Sequence, residues 1–386
     1  MDREELFPRF SAGEYAQRYA RVRAAMREQG VDALLLYGHR AGSAEVQYLS
    51  NFLATWAAML VFPLSGEPTL LVQLYNHVPN ARRVAVVADV RFGGEDLCAT
   101  TAGVVRELEV ANRRLGLVGQ LPYRQYEALR QALPEATLVD WTRELLALRL
   151  IKSEEEFEWL RRGAELSDRA IEALAREARP GLSEHELADI VERAYVSLGG
   201  THGIHFLAVT SMQAPDRCVP AQTHSRRRVQ RGDVLLTEIS AGYHGYTGQI
   251  LRPFTFGEPP TPHYQRLYEV CVEAFQRVVA AVRPGATTDA VLDAAEYIHA
   301  QGYTICDDLL HGYGGGYLPP VLRTRQTATG PMPPLTFREG MAIVIQPNVI
   351  TPDERSGVQV GELGRVTAQG WETLHRYPLR FIECRG

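Results

Sequence analysis

Leu148-Arg149-Leu150-Ile151-Lys152-Ser153-Glu154-Glu155-Glu156 divides this chain in two. The stretch lies inside a tract of helical character running from Thr142 to Arg179. Ile151-Lys152-Ser153 interrupts that tract: Ser153 supplies a capping oxygen, and three consecutive glutamates set negative charge against the unpaired amides of a new first turn. One helix ends and another begins within a few residues, and a boundary between domains belongs there. The expected division is 1–150 and 151–386, and a length of 386 residues agrees with it, because single cores stop growing at about 250–300 residues.

Upstream of the junction helix and strand alternate. Ala12 to Gln29 reads as an amphipathic helix with Ser11 as its cap and Gly30 as its stop. Val31 to Tyr37 follows as a short buried strand, and Met59 to Phe62 pairs with Thr69 to Val72 as a hairpin across Ser65-Gly66-Glu67-Pro68. A strand at Arg114 to Val118, a helix at Tyr123 to Leu133 and a strand at Thr137 to Asp140 complete a small α/β domain. Downstream, Pro180-Gly181 stops the long helix, Ser183 with Glu186 opens the next as a capping box, and Gly199-Gly200 closes it. From Arg231-Gly232-Asp233 onward strands predominate, interrupted by helices at Pro262 to Val282 and Asp289 to Gln301. Helices followed by strands without strict alternation give an α+β domain, whose two halves share a helix-then-strands order.

Charge and composition remove several classes of function. A net charge of -5 argues against a nucleic-acid partner, whose phosphates demand a basic face, and Arg226-Arg227-Arg228 is too short a run to supply one. No apolar stretch approaches the roughly 20 residues of a membrane span, and the N-terminal Met1-Asp2-Arg3-Glu4-Glu5 is acidic, unlike a secretory signal. The cysteines, Cys98, Cys218, Cys271, Cys306 and Cys384, are odd in number and show no zinc spacing, as expected of reduced thiols in a cytoplasmic protein. Lys152 is the single lysine and stands at a helix start, so Schiff-base chemistry is not expected. Gly312, Gly314, Gly315 and Gly316 carry no Gly-Lys-Ser/Thr and read as a turn rather than a phosphate cradle.

Phe10-Ser11-Ala12-Gly13-Glu14-Tyr15, the Leu148 to Glu156 junction, Pro284-Gly285, Gly302-Tyr303, His311-Gly312-Tyr313-Gly314 and Arg338-Glu339-Gly340-Met341 fall in one order and spacing. Together they resemble the creatinase, prolidase and aminopeptidase P family over essentially the whole chain. The resemblance implies a pita-bread C-terminal domain, a smaller creatinase-like α/β N-terminal domain, and a homodimer in which the small domain of one chain borders the site of the other.

Metal-dependent members bind two cations with two aspartates, a histidine and two glutamates, because adjacent divalent ions need bridging carboxylates to offset their repulsion. By resemblance the first aspartate position is Glu238, in Gly232-Asp233-Val234-Leu235-Leu236-Thr237-Glu238. The second is Gln249, in Gly245-Tyr246-Thr247-Gly248-Gln249-Ile250-Leu251-Arg252; the histidine is His311, and the first glutamate position is Gln346. The last falls on Gly361, with Glu362 one residue along. Carboxamides are neutral and coordinate weakly, so two metals are not expected. A single divalent ion on Glu238, His311 and Glu362 requires a one-residue slip of the final strand pair to turn Glu362 inward. The histidine that the family places before its Gly-Asp strand corresponds to Ala221; His224, His202 and His205 are the candidates to replace it.

The expected function is therefore a C–N hydrolase of the amide, urea or guanidino type, acting on a small molecule or short peptide and using no metal cofactor. In it Glu238 holds or deprotonates water while His311 passes the proton to the leaving nitrogen, and Gln249 and Gln346 bind a planar polar group. Tyr243, Tyr246, Arg252, His224, Glu362 and Trp56 are the further candidates for substrate contact, Tyr243 and Arg252 equally for packing. Two alternatives stand beside this: an Xaa-Pro dipeptidase or aminopeptidase with an altered mononuclear site, and a catalytically silent pita-bread binding protein whose polar residues form a closed network.

Overall fold

Local signals set the first elements of each part of the chain. In the computed structural model, which describes residues 6–40 and 42–384, Ser11 accepts the Glu14 amide at 3.1 Å to open α1 (Ala12–Gln29), and Gly30 ends it at φ 63°. The acidic segment Met1–Glu5 lies outside the described residues. The chain separates into two compact units, Met1–Arg149 and Leu150–Gly386.

In the smaller unit, α1 is followed by β1 (Ala33–Gly38), α2 (Ala44–Ser50), β2 (Ala58–Pro63), β3 (Thr69–Val72), α3 (Val78–Val84), β4 (Asp89–Phe92) and α4 (Leu97–Glu107). Next come β5 (Arg114–Val118), α5 (Tyr123–Ala132), β6 (Thr137–Asp140) and α6 (Thr142–Arg149). The strands form one mixed sheet in the order β4-β3-β2-β1-β5-β6. Leu34, Leu36, Leu60 and Phe62 enter one core, and Ala33, Leu35, Met59 and Val61 enter a second. Helices cover both faces, which is why β1 and β2 read as unbroken apolar runs.

The larger unit opens with α7 (Glu154–Glu177) and α8 (Glu184–Arg193), each begun by the capping box expected at Ser153 and Ser183. They are followed by β7 (Thr201–Ser211), β8 (Asp233–Tyr243), β9 (Tyr246–Leu251) and β10 (Phe254–Phe256). A second helix pair, α9 (Pro262–Ala281) and α10 (Thr288–Ala300), precedes β11 (Leu310–Tyr313), β12 (Tyr317–Leu322), β13 (Ala342–Ile345), β14 (Asn348–Ile350) and β15 (Gly357–Gln359). β16 (Gly361–Thr367), β17 (Gly370–Thr373) and β18 (Ile382–Cys384) complete the unit. Its large sheet runs β12-β11-β13-β16-β9-β8-β10-β18, with β7 beside β8 and β17 beside β16; β14 and β15 pair separately. Among the described residues no helix is long and apolar enough to cross a membrane.

Pleat and register decide what faces where. Leu235, Ile239 and Ala241 of β8, Ile250 of β9 and Leu207 of β7 are fully buried against Ile171 and Leu174 of α7. Each of the leucines and isoleucines among them is worth about 1.5–3 kcal/mol when buried. Because side chains alternate, Glu238 and Ser240 of β8, and Gln249, which pairs with Ser240, must emerge on the sheet face turned away from α7.

Candidate active site

Register carries that face across the sheet. Leu251 stands beside Gly361, Leu363 beside Val344, and Val344 beside His311, so Glu238, Gln249, Gly361 and His311 share one side. Gln346 follows β13 directly, its amide N–H held by the Leu309 carbonyl at 2.9 Å. Gln249 Nε2 donates to Glu238 Oε1 at 3.1 Å and also to Gln346 Oε1, while Gln346 Nε2 donates to the Asp308 carbonyl at 3.3 Å. The structure thus brings Glu238, Gln249, Gln346 and His311 together, all of them buried.

His311 lies between aromatic rings. Tyr317 stacks on it at 3.9 Å with 19° between planes, and Tyr313 meets it edge-on at 5.2 Å. Its Nδ1–H donates to the Gly312 carbonyl at 3.1 Å, which leaves the lone pair on Nε2. Gln346 lies beside it, yet Nε2 has no hydrogen-bond partner, and Gln249 Oε1 is likewise buried and unpartnered. Unsatisfied buried polar atoms are rare in folded proteins, and both of these belong to the same polar cluster.

Sequence reasoning missed two carboxylates. Asp307 and Asp308 stand in the turn before β11, where Asn348 Oδ1 accepts the Cys306 and Asp307 amides at 2.9 and 3.1 Å and Gln359 Nε2 reaches Asp307 at 3.2 Å. The signal available was an acidic doublet immediately ahead of the histidine strand. Their charges act on Glu238: burial first, then Asp307 and Asp308, push its carboxyl up to about 8. Burial pushes His311 down to about 4. Burial thus favours the protonated carboxyl of Glu238 and the neutral imidazole of His311.

Other expected contacts lie elsewhere. Glu362 pairs with Ile250 and Ile345, on the opposite face from Gln249, so the slip that would turn it inward has not occurred. There it forms a buried ion pair with Arg252, whose guanidinium also donates to the carbonyls of Leu251, Gly361, Tyr377 and Pro378 at 2.9–3.0 Å. Arg252 is thus a structural cation rather than a substrate contact. Tyr246 is buried beneath α7 and donates its hydroxyl to Glu156 at 2.8 Å. Tyr243 stands edge-on to Trp159 at 5.7 Å, on the same helix-facing side. His205 faces the helices too, under the Tyr195 hydroxyl, and His224 donates Nε2–H to the His205 carbonyl at 2.9 Å. His202 is exposed and touches Glu192. Trp56, in the smaller unit, is 57 % exposed and lines a shallow cavity of that unit with Tyr37, His39 and Gln73.

Sheet, helix pairs and buried polar centre together define a pita-bread domain preceded by a creatinase-like domain. Residues 158–368 match the model of metallopeptidase family M24, and residues 18–151 match that of the creatinase/prolidase N-terminal domain. The chain belongs to metallopeptidase family M24. It is 28 % identical over 269 residues to the Xaa-Pro dipeptidase of Pyrococcus furiosus, covering 67 % of this chain and 73 % of that one. It is also 25 % identical over 367 residues to the uncharacterized peptidase YqhT of Bacillus subtilis, covering 94 % and 98 %. Among solved structures, the X-Pro aminopeptidase of Thermotoga maritima superposes with a TM-score of 0.82 at 21 % identity, covering 95 % of this chain and 99 % of that one.

M24 enzymes normally use a dinuclear metal site, and the donor set here does not fit one. Glu238 is the only carboxylate at the five mapped ligand positions, accompanied by one imidazole and two carboxamides that bridge two cations poorly. The fifth position is closed by backbone: a Cβ on Gly361 would lie 2.4 Å from the Ile345 carbonyl oxygen and 2.8 Å from Gln346 Cβ. The expected single-ion set fails as well, because Glu362 is on the other face. Among the described residues, the one group of three potential ligands with atoms within 4.8 Å of each other is Glu192, His202 and His205, away from this pocket.

Proposed function

We propose that the protein is a hydrolase that cleaves the C–N bond of a short peptide-like amide or similar small polar molecule, with Glu238 as acid and His311 as base. The observation that carries this reading is the buried cluster in which Gln249 bonds Glu238 and Gln346 beside the Tyr317-stacked His311, where burial pushes Glu238 up to about 8 and His311 down to about 4. Titratable pairs pushed apart in one pocket are the usual basis for assigning acid and base. His311 Nε2 takes a proton from water, the water oxygen bonds to the carbonyl carbon, and Glu238 gives its proton to the departing nitrogen as the C–N bond breaks. The proton on His311 then returns to Glu238, restoring both groups. Gln249 and Gln346 offer a donor and an acceptor to a planar amide, and the Tyr317 stack fixes the imidazole. The printed names of relatives, Xaa-Pro dipeptidase among them, support a peptide-like substrate.

The pH dependence follows from the signs. Below about 4 His311 is protonated and no base remains; above about 8 Glu238 is ionised and no acid remains. The groups facing the pair are Asp307, Asp308, Tyr313 and Tyr317, with Arg323 acting on Asp308. Hydrolysis of Xaa-Pro dipeptides, ureas and guanidino compounds, followed by chromatography, is expected to give a bell-shaped kcat/KM with limbs near those values. Turnover should survive exhaustive dialysis against a chelator; a rate that returns only with added manganese or cobalt removes the proposal. A binding role without turnover is the second reading, favoured by the bonds that already close Gln249 onto Glu238 and Gln346. Saturable binding of these compounds with no product would establish it.

A further inference from the structure

On the helix-facing side of β7, across the sheet from the chemistry proposed above, two imidazoles and a carboxylate converge. Residues three apart on a regular strand point to opposite faces, so His202 and His205 should diverge. They do not, because β7 carries a bulge: His202 pairs with Ala241 and Ile204 with Ser240, leaving Gly203 as an extra residue. His205 pairs with Ile239, two residues from Ala241 on β8, and both rings consequently stand on one face, 4.4 Å apart. Only glycine permits this, since a Cβ at 203 would lie 2.4 Å from the Ser240 carbonyl oxygen. Glu192, in the last turn of α8, meets His202 Nδ1 at 3.1 Å.

We propose that Glu192, His202 and His205 form a binding site for one divalent transition-metal ion, with zinc the ion whose ligand preferences the set meets. One ligating atom from each residue lies within 4.8 Å of the others, and a small contraction brings two imidazoles and a carboxylate onto a tetrahedral ion. His205 Nδ1–H is tied to the Ile204 carbonyl, the outer-sphere bond that orients a ligating histidine, and this assigns coordination to Nε2. That nitrogen accepts the Tyr195 hydroxyl, whose bond the ion displaces; the phenol then lies beside the open fourth position, where water completes the shell. His202 and Glu192 are about half exposed, which gives the ion a direct path from solvent. Bound there, it links the end of α8 to β7 and acts on stability rather than on turnover.

The test titrates full-length protein, first stripped with chelator, with zinc by calorimetry and with cobalt by visible absorption, recording melting temperature with and without zinc. One equivalent is expected, with a raised melting temperature. His202→Ala and Glu192→Gln, both at exposed positions, should each weaken affinity about tenfold or more and abolish the shift, because each removes a ligand. His311→Asn should bind as the parent does. Absence of stoichiometric binding, binding unchanged in His202→Ala, or binding lost in His311→Asn would each overturn the assignment.

Discussion

Glu238→Gln is expected to lower kcat by about 10²–10⁴, the usual contribution of a positioned general acid, while leaving the fold intact. The replacement keeps size and hydrogen-bonding shape, and the neighbouring donor, Gln249 Nε2 at 3.1 Å, still finds an oxygen. What disappears is the transferable proton. The alkaline limb of the pH profile should vanish with it, since the group pushed up to about 8 is no longer there to titrate. Steady-state rates, pH profiles and melting curves on the parent and variant make the comparison. A Glu238→Gln enzyme with full turnover would show that the buried carboxyl is not the acid.

Arg252→Met is expected to cost about 3–5 kcal/mol of stability, the loss typical of breaking a buried ion pair on one side. Arg252 has no exposed surface, and its donors serve Glu362 and four backbone carbonyls. Methionine fills much of the volume but strands a carboxylate and those carbonyls without partners. A domain is stable by only about 5–15 kcal/mol, so the larger unit should lose a substantial fraction of its margin. The double variant Arg252→Met with Glu362→Met should recover part of the loss, because no charge is then left unpaired. Urea unfolding midpoints read both effects; an unchanged midpoint in the single variant would mean that the pair is not structural.

What the sequence revealed and what it hid follow from the range of the interactions involved. The helix starts at Ser153 and Ser183 were legible because a capping box is written within four residues. Glu238 and Gln249 were placed together correctly because β8 and β9 are joined by a short turn that transmits register directly. Glu362 and Gly361 are neighbours, however, and only the long-range pairing of Gly361 with Leu251 decides which of them faces the pocket. Asp307 and Asp308 prompted no expectation, because their effect on Glu238 arises only after burial removes the water that would screen them. The opposite shifts of Glu238 and His311 were hidden for the same reason, since burial is the first cause of both. His202 and His205 stood as candidates to replace the family histidine, because a bulge at Gly203 that turns both to the helix-facing side is not written in the local sequence.

The contact at Gly361 also bears on redesign of the site. A carboxylate there would collide with the Ile345 carbonyl and with Gln346. Placing a ligand there by one substitution is therefore sterically blocked unless the neighbouring chain shifts, and acids at 249 and 346 would be needed besides. A two-ion site on this chain would therefore take a movement of the backbone between β13 and β16 as well as new side chains.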